Sequence, residues 1–248
     1  AKGVVLAAGG FPWDIKRRKA LFPKTPTGKE HWPLPPSSTT GDGLHLGESV
    51  GGVVDTTLYS SVAWAPVSLV PYKDGRFGHF PHIIERAKPG VIGVLKNGQR
   101  FVNEAGGYYD YVDAMVKAVP EGDEVCSWLV CTHRFQRRYG LGISRPAPLP
   151  FKHWIKKGYL KSAKTLEALA IECGIDPKAL KQTVDEYNHH AQHGEDPAFR
   201  RGSTLYNRKN GDPANTPNPC VAPLDQGPFY AVKVVPGRFG TFAGLKTN

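Results

Sequence analysis

Residues 2–8 (KGVVLAA) form a continuous apolar, β-branched run stopped by Gly9-Gly10. That is the pattern of a short strand buried on both faces. The stretch 12–38 breaks the pattern with prolines and lysines and predicts an irregular surface excursion. Asp42 then offers a cap for a helix from about Gly43 to Val50, ended by Gly51-Gly52. Gly47 and Gly51 give that helix a thin face suited to close approach by another backbone. Residues 53–72 are apolar, carry Pro66 and Pro71, and predict extended chain. Val91–Leu95 and Gln99–Val102 flank Lys96-Asn97-Gly98, a strong short-range hairpin signal. Trp128-Leu129-Val130 predicts another short strand.

Two punctuated helices follow. Ser162 is the expected cap of the first, with Leu166, Leu169 and Cys173 on one face and Gly174 at its close. Asp176 caps the second and Pro177 takes its first position, where a missing N–H costs nothing. Leu180, Val184 and Tyr187 are its expected buried face. Residues 192–226 are polar, rich in proline and glycine, and predict a long loop. Phe229–Val235 (FYAVKVV) alternates as a strand does, and 237–244 is glycine-rich. The mixture predicts an α+β fold.

The composition narrows the choices. With 248 residues and 40% hydrophobic residues the chain is long enough for a real core, and its 28 glycines and 22 prolines favour turns over a helical bundle. The net charge of +10 invites comparison with nucleic-acid binders. The basic residues are dispersed, however, and no arginine–glycine tract, zinc-finger spacing or basic helix with heptads is present. An anionic cofactor or substrate is the simpler reading. Cys126, Cys131, Cys173 and Cys220 form no Cys-x-x-Cys pair, so reduced thiols and a cytoplasmic location are expected. No apolar run is long enough to span a bilayer. His189, His190 and His193 lack a spaced acidic or cysteine partner, so no metal is expected there.

Four blocks carry the chemistry: GVVLAAGGF (3–11), TGDGLHLGESVGG (40–52), KNGQRFVNEAGGYYDYVDAM (96–115) and GPFYAVKVVPGRFGTFAG (227–244). In the first, a strand running into Gly9-Gly10 lets backbone amides approach a ligand. In the second, Gly41–Gly43 leads into a helix N-terminus that favours anionic or polar groups. As an ordered set the blocks resemble the succinate dehydrogenase and fumarate reductase flavoproteins, and within them the 3-ketosteroid dehydrogenase branch. The resemblance covers nearly the whole chain. It implies FAD as cofactor, with Ala8, Gly9, Gly10, Phe11, Thr40, Gly41, Asp42 and Gly43 lining it.

The resemblance also implies roles for side chains. Glu104 matches a glutamate that assists proton transfer in the fumarate reductases. Tyr108, with Tyr109 as second choice, matches a tyrosine that takes part in proton abstraction next to a ketone. Tyr230 and the amides around Gly240–Gly244 match groups that polarise the substrate carbonyl. The fumarate reductase proton-donor arginine falls at Gln136, with Arg137 and Arg138 adjacent. Its two histidines fall near Gly240 and near Trp64-Ala65-Pro66, which points to a bulkier, more apolar substrate than a dicarboxylate.

No Gly-x-Gly-x-x-Gly strand–turn–helix is found. The resemblance therefore implies an internal piece of a larger enzyme: a substrate-capping domain at 61–228, between partial strips of a Rossmann-like FAD-binding domain at 1–60 and 229–248. Alone, such a piece is expected to hold FAD weakly. The expected activity of the whole enzyme is dehydrogenation or reduction of a carbon–carbon bond next to a carbonyl, on a small molecule such as a steroid-like ketone. The competing readings are a fumarate-reductase-like enzyme using Arg137 or Arg138 on a carboxylate, and a non-catalytic basic module. The four glycine-bearing blocks, with Gly9, Gly43, Glu104 and Tyr230, are expected to converge around one cofactor.

Overall fold

The computed structural model describes residues 3–247. In chain order the elements are α1 (Ile15–Leu21), β1 (Trp32–Pro33), α2 (Asp42–Ser49), β2 (Val54–Asp55), β3 (Val62–Pro71), β4 (Phe77–Pro81), β5 (Val91–Val94), α3 (Tyr108–Ala118), β6 (Ser127–Thr132), α4 (His133–Arg138), α5 (Lys152–Lys156), β7 (Lys161–Ala163), α6 (Leu166–Cys173), α7 (Pro177–Ala191), α8 (Leu205–Asn210), β8 (Phe229–Thr241) and β9 (Gly244–Leu245).

One seven-stranded sheet dominates, in the order β4-β3-β8-β6-β5, with β1 and β7 also paired to β8. The pairing is antiparallel except for β1 on β8. β8 is the spine. Its first half, from Phe229 to Val234, pairs with β6 and β7, and its second half, from Val235 to Thr241, pairs with β3. A register shift opposite Ala63/Trp64 bends that second half. Helix α3 packs across β3 and β8. Tyr111, Val112, Met115 and Val116 form its buried stripe, against Val91, Leu129 and Val232 among others. A second core lies between the sheet and α6–α7, built on Leu166, Leu169, Leu180, Val184 and Tyr187.

Several sequence expectations hold. Asp176 caps α7 by accepting from the Ala179 amide at 2.9 Å, and Pro177 begins the helix. Gly174 ends α6 in the left-handed conformation. The Leu95–Gln99 turn closes with Gly98 at φ +77°, a region that favours glycine.

Others are corrected. Lys2 lies outside the described residues, and residues 3–8 pair with no strand among them; Val4 and Val5 stand 85% and 91% exposed. A two-sided apolar strand needs hydrogen-bonded neighbours, and here none lies alongside. Helix α6 is capped by Thr165, whose hydroxyl accepts from Ala168, while Ser162 sits in β7 opposite Tyr230. Helix α2 starts at Asp42, with Gly41 at its N-cap, so Asp42 is its first residue rather than its cap. The Gln99–Val102 segment makes only a single bridge, Val94 to Arg100, and so forms no strand beside β5. Residues 12–38 contain α1 and β1, and 192–226 contain α8. All four cysteines are buried and free. Among the described residues no helix is long and apolar enough to cross a membrane, and no group of three or more metal-ligating side chains occurs.

Candidate active site

All four glycine-bearing blocks reach the far end of β8, the block 96–115 through Tyr108 and Tyr109. The Phe11 amide donates to Thr241 Oγ1 at 3.3 Å. A Cβ on Gly10 would lie 2.0 Å from that same hydroxyl, so only glycine allows this approach. Arg238, fully buried on β8, donates to the Pro12 carbonyl at 2.7 Å and lies 5.0 Å from the Phe22 ring centroid. Phe22 in turn stacks on Phe11 at 5.6 Å. Gly41 adopts φ +90° beside Phe11, and a Cβ on Gly43 would touch Ala8 at 3.5 Å. The strip Ala8–Phe11 and the turn Thr40–Gly43 are therefore neighbours, as the sequence implied.

This region fits FAD. Helix α2 has no side-chain cap, so the first-turn N–H groups of an eight-residue helix point outward from a glycine turn. Thr40 and Asp42 bond to each other at 2.8 Å and leave those amides free of their side chains. The exposed apolar face of residues 4–6 lies alongside. Phe11 anchors the strip instead: its ring is fully buried, its N–H is held by Thr241 and its carbonyl accepts from the Asp14 amide at 3.1 Å.

The same end of β8 forms a wall of an aromatic cleft of about 620 Å³. Tyr108 and Tyr109 open α3 on one side, and Trp64, Phe239 and Phe242 line the other. The Tyr108 ring meets Phe239 edge-on at 5.3 Å, and Tyr109 meets Phe242 at 6.0 Å. Between those two phenylalanines, Thr241 turns to the cofactor strip. Tyr108 is the first residue of an eleven-residue helix whose N-cap, Gly107, provides no side-chain bond. Burial pushes the Tyr109 phenol up.

Glu104, Tyr230 and Arg137 lie elsewhere. The Glu104 carboxylate is fully buried, 2.7 Å from Arg100 Nη2 and 3.2 Å from Arg201 Nη1, and it accepts from the Gly93 amide at 2.9 Å. Desolvation opposes its charge, but the Arg100 and Arg201 guanidiniums prevail and hold it at about 2. Arg100 also pairs with Asp196 at 2.8 Å, which closes a four-membered ion cluster. Tyr230 sits at the start of β8, about 30 Å of strand away from Phe239. Its hydroxyl is 3.0 Å from His133 Nδ1 and its ring packs edge-on against Phe151. Arg137 lies over the same Phe151 ring at 5.6 Å. The expected convergence of Glu104 and Tyr230 with Gly9 and Gly43 is thus not met. Because β8 stays extended from Phe229 to Thr241, one block delivers its two ends to opposite ends of the sheet. Gln136, at the position of the fumarate reductase arginine, is buried and donates to Ser144 Oγ at 2.8 Å.

Phe239, Phe242, Leu58 and Tyr59 join the cleft without having been expected there from the sequence. The first two belong to the GRFGTFAG stretch, where the glycines are the stronger signal. Tyr59 carries no local motif, and only its tether to α3 reveals it.

The FAD binding domain family matches residues 1–248. The chain is 42% identical, over 99% of its length, to 4-oxocyclohex-2-ene-1-carboxylate 5-dehydrogenase of Sinomonas cyclohexanicum, of which it covers 42%. It is 32% identical, over its whole length, to 3-oxosteroid 1-dehydrogenase of Mycobacterium tuberculosis, of which it covers 43%. Its fold matches that of 3-ketosteroid delta1-dehydrogenase from Sterolibacterium denitrificans in complex with 1,4-androstadiene-3,17-dione, with a TM-score of 0.88 and 35% identity over all of this chain and 43% of that one. The chain thus spans less than half the length of these relatives. With its FAD-compatible strip and aromatic cleft meeting on one strand, the chain belongs to the FAD binding domain family of flavoproteins, among relatives that include the 3-oxosteroid dehydrogenases and the fumarate reductases.

Proposed function

We propose that the protein carrying this chain is an FAD-dependent dehydrogenase that introduces a carbon–carbon double bond next to the carbonyl of a cyclic ketone. The observation that carries this reading is the junction at the end of β8. Phe239 and Phe242 line a cleft opened by Tyr108, while Thr241 between them binds the glycine strip. A ketone in the cleft therefore lies beside the cofactor strip with a phenol at its edge.

FAD, when bound, supplies a two-electron acceptor for hydride. The chain's residues do the rest. Trp64, Phe239 and Phe242 pack an apolar ring and exclude water. Tyr108, once its own proton has passed to solvent, takes as phenolate the proton from the carbon next to the carbonyl as the hydrogen on the adjacent carbon leaves as hydride. The two carbons keep one electron pair as the new π bond. Ala8–Gly10 and Thr40–Gly43 hold the cofactor through backbone amides, with Phe11 anchoring the strip on Thr241. Tyr230 is left outside this set by its distance along β8, Arg137 by its place on α4 over Phe151, and Glu104 by its burial among arginines. The carboxylate-substrate reading that relied on Arg137 loses its geometric support with them, because no arginine lines the cleft.

We keep 61–228 as a cap domain that closes over the cofactor, with 1–60 and 229–248 as strips of the cofactor domain. The relatives' names favour either a four-ring or a one-ring ketone as substrate. The test is oxidation of 4-oxocyclohexanecarboxylate and of 4-androstene-3,17-dione by the complete protein with an artificial electron acceptor. At least one is expected to be consumed. Tyr108→Phe is expected to lower kcat by about 10²–10⁴-fold with little change in KM. An unchanged kcat in that variant rejects Tyr108 as the proton acceptor.

A further inference from the structure

A base works only if it stands where the proton leaves. The Tyr108 ring has little to hold it there: it is 37% exposed and meets Phe239 edge-on at 5.3 Å. Its place is therefore set by the backbone that leads into α3. That backbone is the segment 103–107, which ends in Gly106-Gly107 and belongs to no strand or helix. Glycine pairs leave a chain free to move. Here each residue from Asn103 to Gly107 is nevertheless held by at least one hydrogen bond.

Asn103 Nδ2 donates to the Phe199 carbonyl and to Asn207 Oδ1, both at 3.1 Å, and its Oδ1 accepts from the Ala105 amide at 3.0 Å. The Glu104 and Gly106 carbonyls accept from Arg86 at 2.7 and 3.4 Å. The Ala105 carbonyl accepts from Asn207 Nδ2 at 2.8 Å. The Gly106 amide donates to the Asn103 carbonyl at 2.9 Å, and the Gly107 carbonyl accepts the first helical bond, from Tyr111, at 3.1 Å.

Two side chains from elsewhere thus carry the hold. Arg86 is 1% exposed and, among the described residues, pairs with no carboxylate. Its guanidinium goes to four carbonyls instead: those of His82 and Ile83 at 2.8 and 3.3 Å, and those of Glu104 and Gly106. It also lies 5.0 Å from the ring centroid of Tyr111, on the inner face of α3. A planar fork ties two segments together in a way that a single ammonium does not. Burying a cation without a carboxylate is costly, and half of the bonds that offset the cost fall on the approach to Tyr108. Asn207 is 3% exposed and comes from α8. Its Oδ1 accepts from the Gly202 amide at 3.2 Å as well as from Asn103, so it is itself fixed. Neither residue lines the cleft.

We propose that Arg86 and Asn207 are positioning residues for the reaction, which fix the 103–107 backbone and through it the phenol of Tyr108. This rests on the dehydrogenase reading above and says how its base is held in place.

The experiment assays the complete, flavin-loaded protein with whichever of 4-oxocyclohexanecarboxylate and 4-androstene-3,17-dione it oxidises, with kcat expressed per bound flavin. Asn207→Ala and Arg86→Lys are each made in the wild type and in Tyr108→Phe. In the wild type each is expected to lower kcat by about 10–10²-fold with KM changed by less than about twofold, since a small displacement of the base costs that much. In Tyr108→Phe, where the base is already gone, neither is expected to lower the residual rate further. Asn207→Ala decides alone where Arg86→Lys does not fold. Asn188→Ala is the control. Asn188, on α7, also grips backbone from both sides, at the Leu224 amide and carbonyl at 2.7 and 3.0 Å. It is expected to lower the thermal midpoint and leave kcat unchanged. A kcat unmoved by Asn207→Ala overturns the positioning role. So does a kcat lowered equally in both backgrounds, or equally by Asn188→Ala, since either marks a general loosening. A Tyr108→Phe variant with full activity removes the base from the dehydrogenase reading itself, and the positioning role with it.

Discussion

At the scale of single residues, the chemistry-bearing side chains divide by what surrounds them. Glu104 and Tyr108 are near neighbours in sequence, yet one is sealed among guanidiniums and the other opens a cleft. The residue types were legible; their burial was not, because Arg201 reaches Glu104, and Asp196 reaches its partner Arg100, from far along the chain. Arg100 and Glu104, four residues apart, pair inside the core. Removing one member of a buried pair strands the other charge. Glu104→Gln is therefore expected to cost about 3–5 kcal/mol in denaturant unfolding.

The acid response carries a sign. Glu104 is held at about 2 against an ordinary 4.5, so its stabilisation is complete above about pH 4.5 and is lost as pH falls toward 2. His31 behaves separately. Burial, and then the Arg238 and Arg18 charges, lower it from 6.5 to about 3. The folded state keeps it neutral while the unfolded chain protonates, so stability drops as pH falls below about 6.5. Between pH 6.5 and 4.5 the His31 contribution acts before that of Glu104. His31→Phe is expected to flatten the fall of the thermal midpoint in that window; an unchanged slope means another group sets it.

At the scale of elements, local punctuation is readable where a cap and its helix are contiguous. Asp176-Pro177 and Gly174 stand where the sequence places them. Asp176→Ala is expected to cost about 1 kcal/mol by removing the acceptor for Ala179. Helix α3 is not announced in this way, because its buried stripe, Tyr111, Val112, Met115 and Val116, follows a glycine pair that suggests a loop. The strand expected at 2–8 fails for the opposite reason. Its composition calls for flanking strands, which the described residues do not place beside it. The Gly41 turn links element to function. With φ at +90° and the Phe11 Cβ only 3.0 Å from where an added Cβ would lie, Gly41→Ala is expected to cost about 1–2 kcal/mol. It should also reduce the flavin retained through purification, read from visible absorbance at equal protein. Full retention would place the cofactor away from this turn.

At the scale of the whole molecule, β8 organises everything. It runs from the Tyr230–His133–Phe151 cluster to the Phe239–Thr241–Phe242 junction. Taken as one functional unit, its block puts Tyr230 and the cofactor strip together; the extended geometry of the strand separates them. The family was legible, and so was the adjacency of the Ala8–Phe11 and Thr40–Gly43 segments, since both depend on short glycine patterns. The cleft was legible only in Tyr108, Tyr109 and Trp64, since its other walls come from segments that meet only in the folded chain.

The central claim is that proton abstraction occurs at Tyr108, at the end of β8 that holds the cofactor strip. Its most direct test is anaerobic mixing of the flavin-loaded complete protein with a cyclic ketone substrate, following loss of the oxidised-flavin absorbance in a single turnover. The account predicts bleaching at least about a hundredfold slower in Tyr108→Phe and near wild-type in Tyr230→Phe. Bleaching slowed by Tyr230→Phe and untouched by Tyr108→Phe would contradict it.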